Sequence, residues 1–175
     1  MALTSIVTSL RDTIVATIKG ASDILTALRG VVKDQVVGGV NDVGDVVEAA
    51  VISAKDVGTT LVDAVKDSVS AAIMAVGETG GDVMKAVSTA VSGAIKGAAE
   101  AGEDLGKAAV SAVEGAIDAS GKLGKGTADA AKEAVTAAVK TADGIGDEAG
   151  KSVRDALLST ATLPRDVIES VIKGS

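Results

Sequence analysis

The sequence contains no Phe, Tyr, Trp, His or Cys, and its only proline is Pro164. Without imidazole or thiolate, most transition-metal sites and all catalysis that depends on these groups are excluded. Disulfide bonds are impossible, so cysteine usage says nothing about the redox compartment. Because aromatic side chains usually supply much of the burial energy of a core, the small and aliphatic residues must form it through long, close helix contacts or through many copies of the chain.

A surplus of basic residues and long apolar runs are also absent. The formal net charge is −7, which argues against nucleic-acid binding and against simple electrostatic docking to anionic lipid, because both need a basic surface. Arg11 and Asp12 interrupt the apolar N-terminal stretch, and no run of about 18 apolar residues occurs. The sequence therefore predicts neither a signal peptide nor a transmembrane segment, and a cytoplasmic location by default.

What the sequence does contain is a 22-residue repeat. The five central copies begin at Val43, Val65, Val87, Ala109 and Ala131. A valine recurs once per copy, at Val47, Val69, Val91, Val113 and Val135. A glycine recurs in the same way, at Gly58, Gly80, Gly102, Gly124 and Gly146. A fixed period of this length is typical of repeat architectures, in which each unit packs on its neighbours.

Each unit consists of two 11-residue halves with apolar residues at the first, fourth, fifth, eighth and ninth places. Eleven residues complete three helical turns at about 3.67 residues per turn, so the apolar residues stay on one face. Strands would need alternation, which is missing. We therefore predict an all-α fold of hendecad-type amphipathic helices, with the five repeated valines, called the Val row below, on the apolar packing face.

The repeated glycines allow two architectures. A cap-forming residue follows each of them within three residues, which is typical of a helix end and a new start, and this predicts an up-and-down array of helices with Gly-rich hinges. Alternatively, the chain forms one long kinked helix in which these glycines are points of close helix contact. Such a helix would be about 260 Å long at about 1.5 Å per residue.

The pattern predicts a single repeat domain at 1–175. Residues 1–42 follow the same frame with larger apolar residues, which is typical of N-terminal capping repeats. Residues 43–152 hold the five central copies. Residues 153–175 form a C-terminal cap with a break at Pro164, since proline is favoured where a helix begins.

No motif in the sequence predicts catalysis. Carboxylates and lysines fall in a periodic strip opposite the apolar face, which is typical of a solvated helix surface. The segment from Gly121 to Thr127 loosely resembles a phosphate loop, but it lacks the Walker spacing and a preceding strand. We predict no catalytic, cofactor-binding or metal-binding residue and no small-molecule substrate, and hence a protein that is not an enzyme.

The segment from Thr127 to Gly144 (TADAAKEAVTAAVKTADG) resembles the 11-residue repeats of group 3 late-embryogenesis-abundant proteins. The segment from Ala86 to Gly126, rich in Val, Gly, Thr and Lys, is similar to the repeats of perilipins and synucleins. The resemblance covers most of the chain and rests on periodicity and composition. It implies a non-enzymatic, helix-forming protein that coats lipid or protects against desiccation. This chain is more hydrophobic than the stress proteins, and acidic residues outnumber basic ones.

Three hypotheses for function follow. The first is a structural protein that self-assembles through its apolar and Ala/Gly helix faces into a filament, tube, sheet or bundle, so that its partner is a second copy of itself. The second is an amphipathic-helix coat of a membrane, lipid droplet or hydrophobic granule. The third is a desiccation or stress protectant, for which a mostly disordered chain in dilute buffer is expected.

Overall fold

The structure is a computed structural model that describes residues 43–56 and 60–174. Within these residues the fold is all-helical, as predicted, and contains seven α-helices and no strand. The helices are α1 (Val43–Asp56), α2 (Leu61–Glu78), α3 (Val83–Glu100), α4 (Leu105–Lys122), α5 (Thr127–Ile145), α6 (Asp147–Ser159) and α7 (Arg165–Lys173). Gly58 and the predicted N-terminal capping repeats at 1–42 lie outside the described residues.

Helix α3 shows how the sequence sets a helix and its packing face. Asp82 is the N-cap residue, and its side chain accepts a hydrogen bond from the backbone N–H of Lys85 at 3.1 Å, which satisfies one of the free donors of the first turn. The buried Ala, Val and Ile residues of α3 recur every three or four positions: Val83, Ala86, Val87, Ala90, Val91, Ala94, Ile95 and Ala98. They form a broad face, because the helix packs against neighbours on more than one side.

The helices are arranged in two layers. Helices α1, α3 and α5 contact one another in series, α2, α4 and α6 do the same, and each helix also contacts the next one along the chain. Helices two apart run parallel, since Gly44 lies against Gly93 and Glu48 lies against Gly97 one turn later. The chain therefore alternates between the layers, and it does not run as one continuous helix through the described residues.

The core between these helices consists mainly of alanine and valine. The largest side chains that are fully buried are Ile73, Ile95, Leu157 and Ile168. Small side chains bury little area each, but they let helix backbones come close together, so that many weak contacts add up. This is how a chain without aromatic residues forms a closed core.

The C-terminal end differs from the regular array. Helix α6 runs across residue 152, where the sequence pattern placed the boundary of the C-terminal cap. Pro164 is the N-cap residue of α7, which begins one residue later and packs on α5 and α6. Leu163 and Ile168 are buried in this contact region, so α7 covers the last regular helices with one apolar side.

Candidate functional site

The most regular feature of the molecule is the set of contacts between parallel helices two apart, α1 with α3, α2 with α4 and α3 with α5. We call these contacts the stacking seam. Three polar pairs in or beside the seam join residues 48 or 49 apart: Lys55–Glu103 (3.9 Å), with Glu103 just beyond the end of α3, Lys66–Glu114 (3.8 Å) and Ser92–Thr141 (2.9 Å). The ion pairs are largely exposed, so each stabilises the fold only slightly. These pairs are informative because they show a similar offset between the paired helices.

Glycines set the distance between the helices of the seam. A Cβ atom added to Gly97 in α3 would lie 2.7 Å from the carbonyl oxygen of Glu48 in α1. One added to Gly115 in α4 would lie 2.6 Å from the carbonyl oxygen of Lys66 in α2. Both distances are too short for real atoms, so only glycine allows the backbones to approach this closely. Gly93 lies against the backbone of Gly44 in the same way.

The Val row lies inside the molecule. Val47, Val69, Val91, Val113 and Val135 are all fully buried and belong to one continuous apolar core. They contact other helices of the same chain, so this face is used within the molecule.

The recurring glycines that fall within the described residues lie at the ends of helices. Gly80, Gly102 and Gly124 have φ values of 77°, 70° and 69°, in the left-handed region that residues with a Cβ rarely adopt. At the first of these turns, Gly81 N–H donates to Val76 O at 2.9 Å and Gly80 N–H donates to Gly77 O at 3.2 Å. This pair of bonds satisfies carbonyls at the end of α2, as in a Schellman motif.

The surroundings of these turn glycines differ from those of the glycines in the seam. No atom lies within 4 Å of a Cβ built at Gly80, Gly102 or Gly124, so they turn the chain rather than hold two helices together. Gly146, between α5 and α6, has an extended φ of 164°. The seam glycines Gly93, Gly97 and Gly115 are a second group, which lies inside helices rather than at their ends.

The seam contains the one charged side chain that is buried among the described residues, Glu48, which is 8% exposed. Burial raises the pKa of Glu48 above its ordinary value of 4.5, the nearby carboxylate of Glu100 raises it further, and Lys96 opposes both. The interpretation of every carboxylate as part of a solvated strip is therefore wrong for Glu48. The sequence did indicate this exception. Acidic residues recur at the third place of the 11-residue halves, which Asp45 occupies, whereas Glu48 lies three residues later.

A second electrostatic feature joins α5 to α6. Arg154 donates two hydrogen bonds to Asp143, at 2.7 Å and 2.6 Å, in the two-point geometry that suits a guanidinium and a carboxylate. Hydrogen bonding to Arg154 lowers the pKa of Asp143. Because α5 and α6 are joined only by Gly146, this pair links the two helices directly beside their junction.

The described part of the chain shows neither a metal-binding cluster nor a membrane-spanning helix. No group of three or more His, Cys, Asp or Glu side chains there could hold a metal ion, and none of the helices is long and apolar enough to cross a membrane. No protein-family model matches the sequence, and no curated protein is significantly similar to it.

Proposed function

We propose that this protein is a non-enzymatic structural scaffold, a solenoid of 22-residue units that associates with further copies of itself into a homo-oligomer or filament. Each proposed unit is one helix followed by a glycine turn. The helix starts support this unit, because α2, α3, α4 and α5 begin at residues 61, 83, 105 and 127, which are 22 apart. The left-handed glycines support it too, since they occupy the same place in three successive units.

The constant register of the stacking seam carries the proposal. Contacts between residues 48 or 49 apart recur at α1–α3, α2–α4 and α3–α5. A contact that repeats in this way generates an array of no fixed length, because each added helix meets the same kind of surface as the helix before it. Helices of a second copy carry the same surface and can continue the array head to tail.

We expect helix α7 to regulate this association. It covers α5 with the buried side chain of Ile168, while Arg165 and Lys173 are exposed on its outer side. A terminal helix with a polar outer face keeps a repeat array soluble. Growth at the C-terminal end therefore requires α7 to move away from α5.

Sedimentation velocity and negative-stain electron microscopy at micromolar concentration, without lipid, test the proposal. We expect regular oligomers or filaments from the wild type. Ile168→Asp should undock α7 and increase assembly, whereas Lys173→Gln, on the exposed side of α7, should leave it unchanged. If the wild type and Ile168→Asp are both folded monomers, the proposal is wrong. Liposome flotation then tests the lipid-coat hypothesis, in which the Val row must leave the core.

A further inference from the structure

The junction between α5 and α6 differs from the three turns before it. Those turns are four residues long, at 79–82, 101–104 and 123–126, and each contains a left-handed glycine. The α5–α6 junction is Gly146 alone, with an extended φ of 164°. Within the described residues, no side chain caps the first turn of α6. The features that end one helix and begin the next are therefore reduced here to the backbone of one residue.

The backbone hydrogen bonds of Gly146 belong to both helices. Its N–H donates to Ala142 O at 3.1 Å, as the next residue of α5 would, and its carbonyl oxygen accepts from Gly150 N–H at 3.0 Å. Each bond joins residues four apart, which is the α-helical spacing. A change of Gly146 to helical φ and ψ would therefore join α5 and α6 into one helix over residues 127–159, about 50 Å long at about 1.5 Å per residue.

Straightening at Gly146 would uncover the surfaces by which α6 and α7 pack on α4 and α5. Val153 and Leu157 in α6 and Ile168 in α7 are buried in the apolar core. The fit is close, since a Cβ atom added to Gly106 in α4 would lie 2.9 Å from the Cβ atom of Ala156 in α6. Both uncovered surfaces are apolar, so exposing them to water is unfavourable. Every copy of the chain carries the surface that matches each of them.

From this arrangement we propose that copies of the chain exchange their C-terminal segments, so that α6 and α7 of one copy pack on α4 and α5 of another, with Gly146 as the hinge. The inference rests on the proposed scaffold function, because it specifies how α7 leaves its own α5 and what takes its place. Exchange keeps the contacts of α6 and α7 with α4 and α5 and changes only the hinge. The continuous helix also supplies acceptors for the N–H groups that the first turn of α6 leaves without helical partners.

The Arg154–Asp143 ion pair opposes the exchange. It bridges the hinge, at 2.7 Å and 2.6 Å. In a continuous helix, residues 11 apart are separated by about 16 Å along the axis, so the pair within one chain must break before Gly146 straightens. Asp143 would then also lie one turn from Asp147, and like charges four residues apart destabilise a helix. A single copy therefore favours the closed form, and exchange depends on a second copy to cover the uncovered surfaces.

Sedimentation velocity of the full chain, refolded from urea over a range of micromolar concentrations, tests the hinge. Gly146→Ala should lower the dissociation constant of the exchanged dimer about 25-fold, because alanine favours the helix over glycine about fivefold at each of the two hinges. The closed form accepts this change, since no atom lies within 4 Å of the added Cβ and φ is extended. The matched control is Gly144→Ala, which is equally free of contacts but helical in both forms, and it should leave the constant unchanged. An equal constant in wild type and Gly146→Ala overturns the inference.

Cysteine cross-linking identifies the exchanged segment, because the chain has no cysteine of its own. Thr162, in the segment that moves, donates a hydrogen bond to Glu114 in α4 at 2.7 Å. When Glu114→Cys and Thr162→Cys chains are refolded together, a short bis-maleimide should join the two chains, and intact mass spectrometry with one chain isotope-labelled identifies the mixed pair. The matched control mixes Lys66→Cys with Glu114→Cys, whose contact across the α2–α4 seam, at 3.8 Å, stays within one chain on exchange. Mixed cross-linking no greater than in this control overturns the inference.

The segment exchange and the scaffold function can fail separately. Sedimentation of the wild type reports assembly, whereas the mixed cross-link between positions 114 and 162 reports only which copy holds α6 and α7. Oligomers without the mixed cross-link retain the scaffold and reject the exchange. A mixed cross-link that forms only after joint refolding, in a protein that otherwise stays monomeric, does the reverse.

Discussion

Replacing Gly115 by alanine probes the close helix approach on which the stacking seam depends. The new Cβ atom would lie 2.6 Å from the carbonyl oxygen of Lys66, and the next nearest atoms, at 3.3 Å and 3.4 Å, also belong to the Lys66 backbone. A backbone inside a helix cannot rotate out of the way as a side chain can. Helices α2 and α4 must therefore separate to accept the methyl group.

The size of the effect is a balance of two terms. Separating the helices by roughly 0.5–1 Å forfeits a quarter to a half of the dispersion energy of each contact that opens, and overpacking of this kind costs about 1–3 kcal/mol. Alanine gains about 1 kcal/mol over glycine inside a helix. Because the obstacle is backbone, we expect the cost to be near the top of its range, leaving a net loss of about 1–2 kcal/mol.

The matched control is Gly144→Ala. Gly144 lies within α5, and no atom is within 4 Å of its added Cβ, so this change should raise the free energy of unfolding by up to about 1 kcal/mol. Urea unfolding followed by far-ultraviolet circular dichroism measures both variants, since the chain has no aromatic residue to report by fluorescence. If Gly115→Ala is as stable as the wild type or more so, the claim that glycine sets the seam distance is refuted.

Three further predictions concern single groups. Replacing Ser68 or Ser120, whose buried hydroxyls have no hydrogen-bond partner, by alanine should raise the urea midpoint through a gain of about 1 kcal/mol. Gly102→Ala should cost about 1–2 kcal/mol, measured by thermal unfolding, because φ is 70° there and a Cβ disfavours that conformation. Asp143→Asn should remove stability that is present above the ordinary aspartate pKa of 3.8 and is lost as the pH falls through the lower folded-state pKa. Acid unfolding curves of the variant and the wild type should therefore converge at the lowest pH.

The prediction for Ser120 is supported by the residues at equivalent positions in other helices. Ser92 provides a control within the same chain. The residues 22, 44 and 66 positions before Ser120 and 22 positions after it are apolar and buried: Ala98, Val76, Ala54 and Ala142. Ser92 is the control, because its hydroxyl accepts a hydrogen bond from Thr141 at 2.9 Å. Ser92→Ala should therefore lower stability, by about 1 kcal/mol. Equal losses in Ser92→Ala and Ser120→Ala would contradict the distinction between them.

The helical class could be predicted from the sequence because it depends on a local property, the spacing of apolar residues along the chain. The spacing that predicted helices also placed Val91 and its equivalents on one face, and these residues are fully buried. The turn at Gly102 is similarly local, since the glycine precedes the N-cap residue Asp104 by two positions. A short stretch of sequence holds all the information that such features need.

The stacking seam could not be predicted from local patterns, because it depends on which residue meets which across 48 or 49 positions. Gly115 and Gly144 both lie inside helices, yet one is pressed against a backbone and the other faces open space. Glu48 likewise looks like an ordinary surface carboxylate until α3 packs against it. Such differences arise from the offset between parallel helices, which the sequence period leaves undetermined.

Because each helix contacts only helices near it in the chain, the length of this array can change while its interior stays the same. In the described array each of the first six helices packs mainly on its two nearest neighbours in the chain on either side, so its contacts do not depend on how many helices lie beyond. Adding 44 residues inserts one helix into each layer and moves the ends apart by one interaxial distance, about 8–10 Å. Duplication of such a segment changes the length of the molecule in fixed steps and leaves the existing interior intact, whereas adding a single helix with its turn places every later helix in the opposite layer.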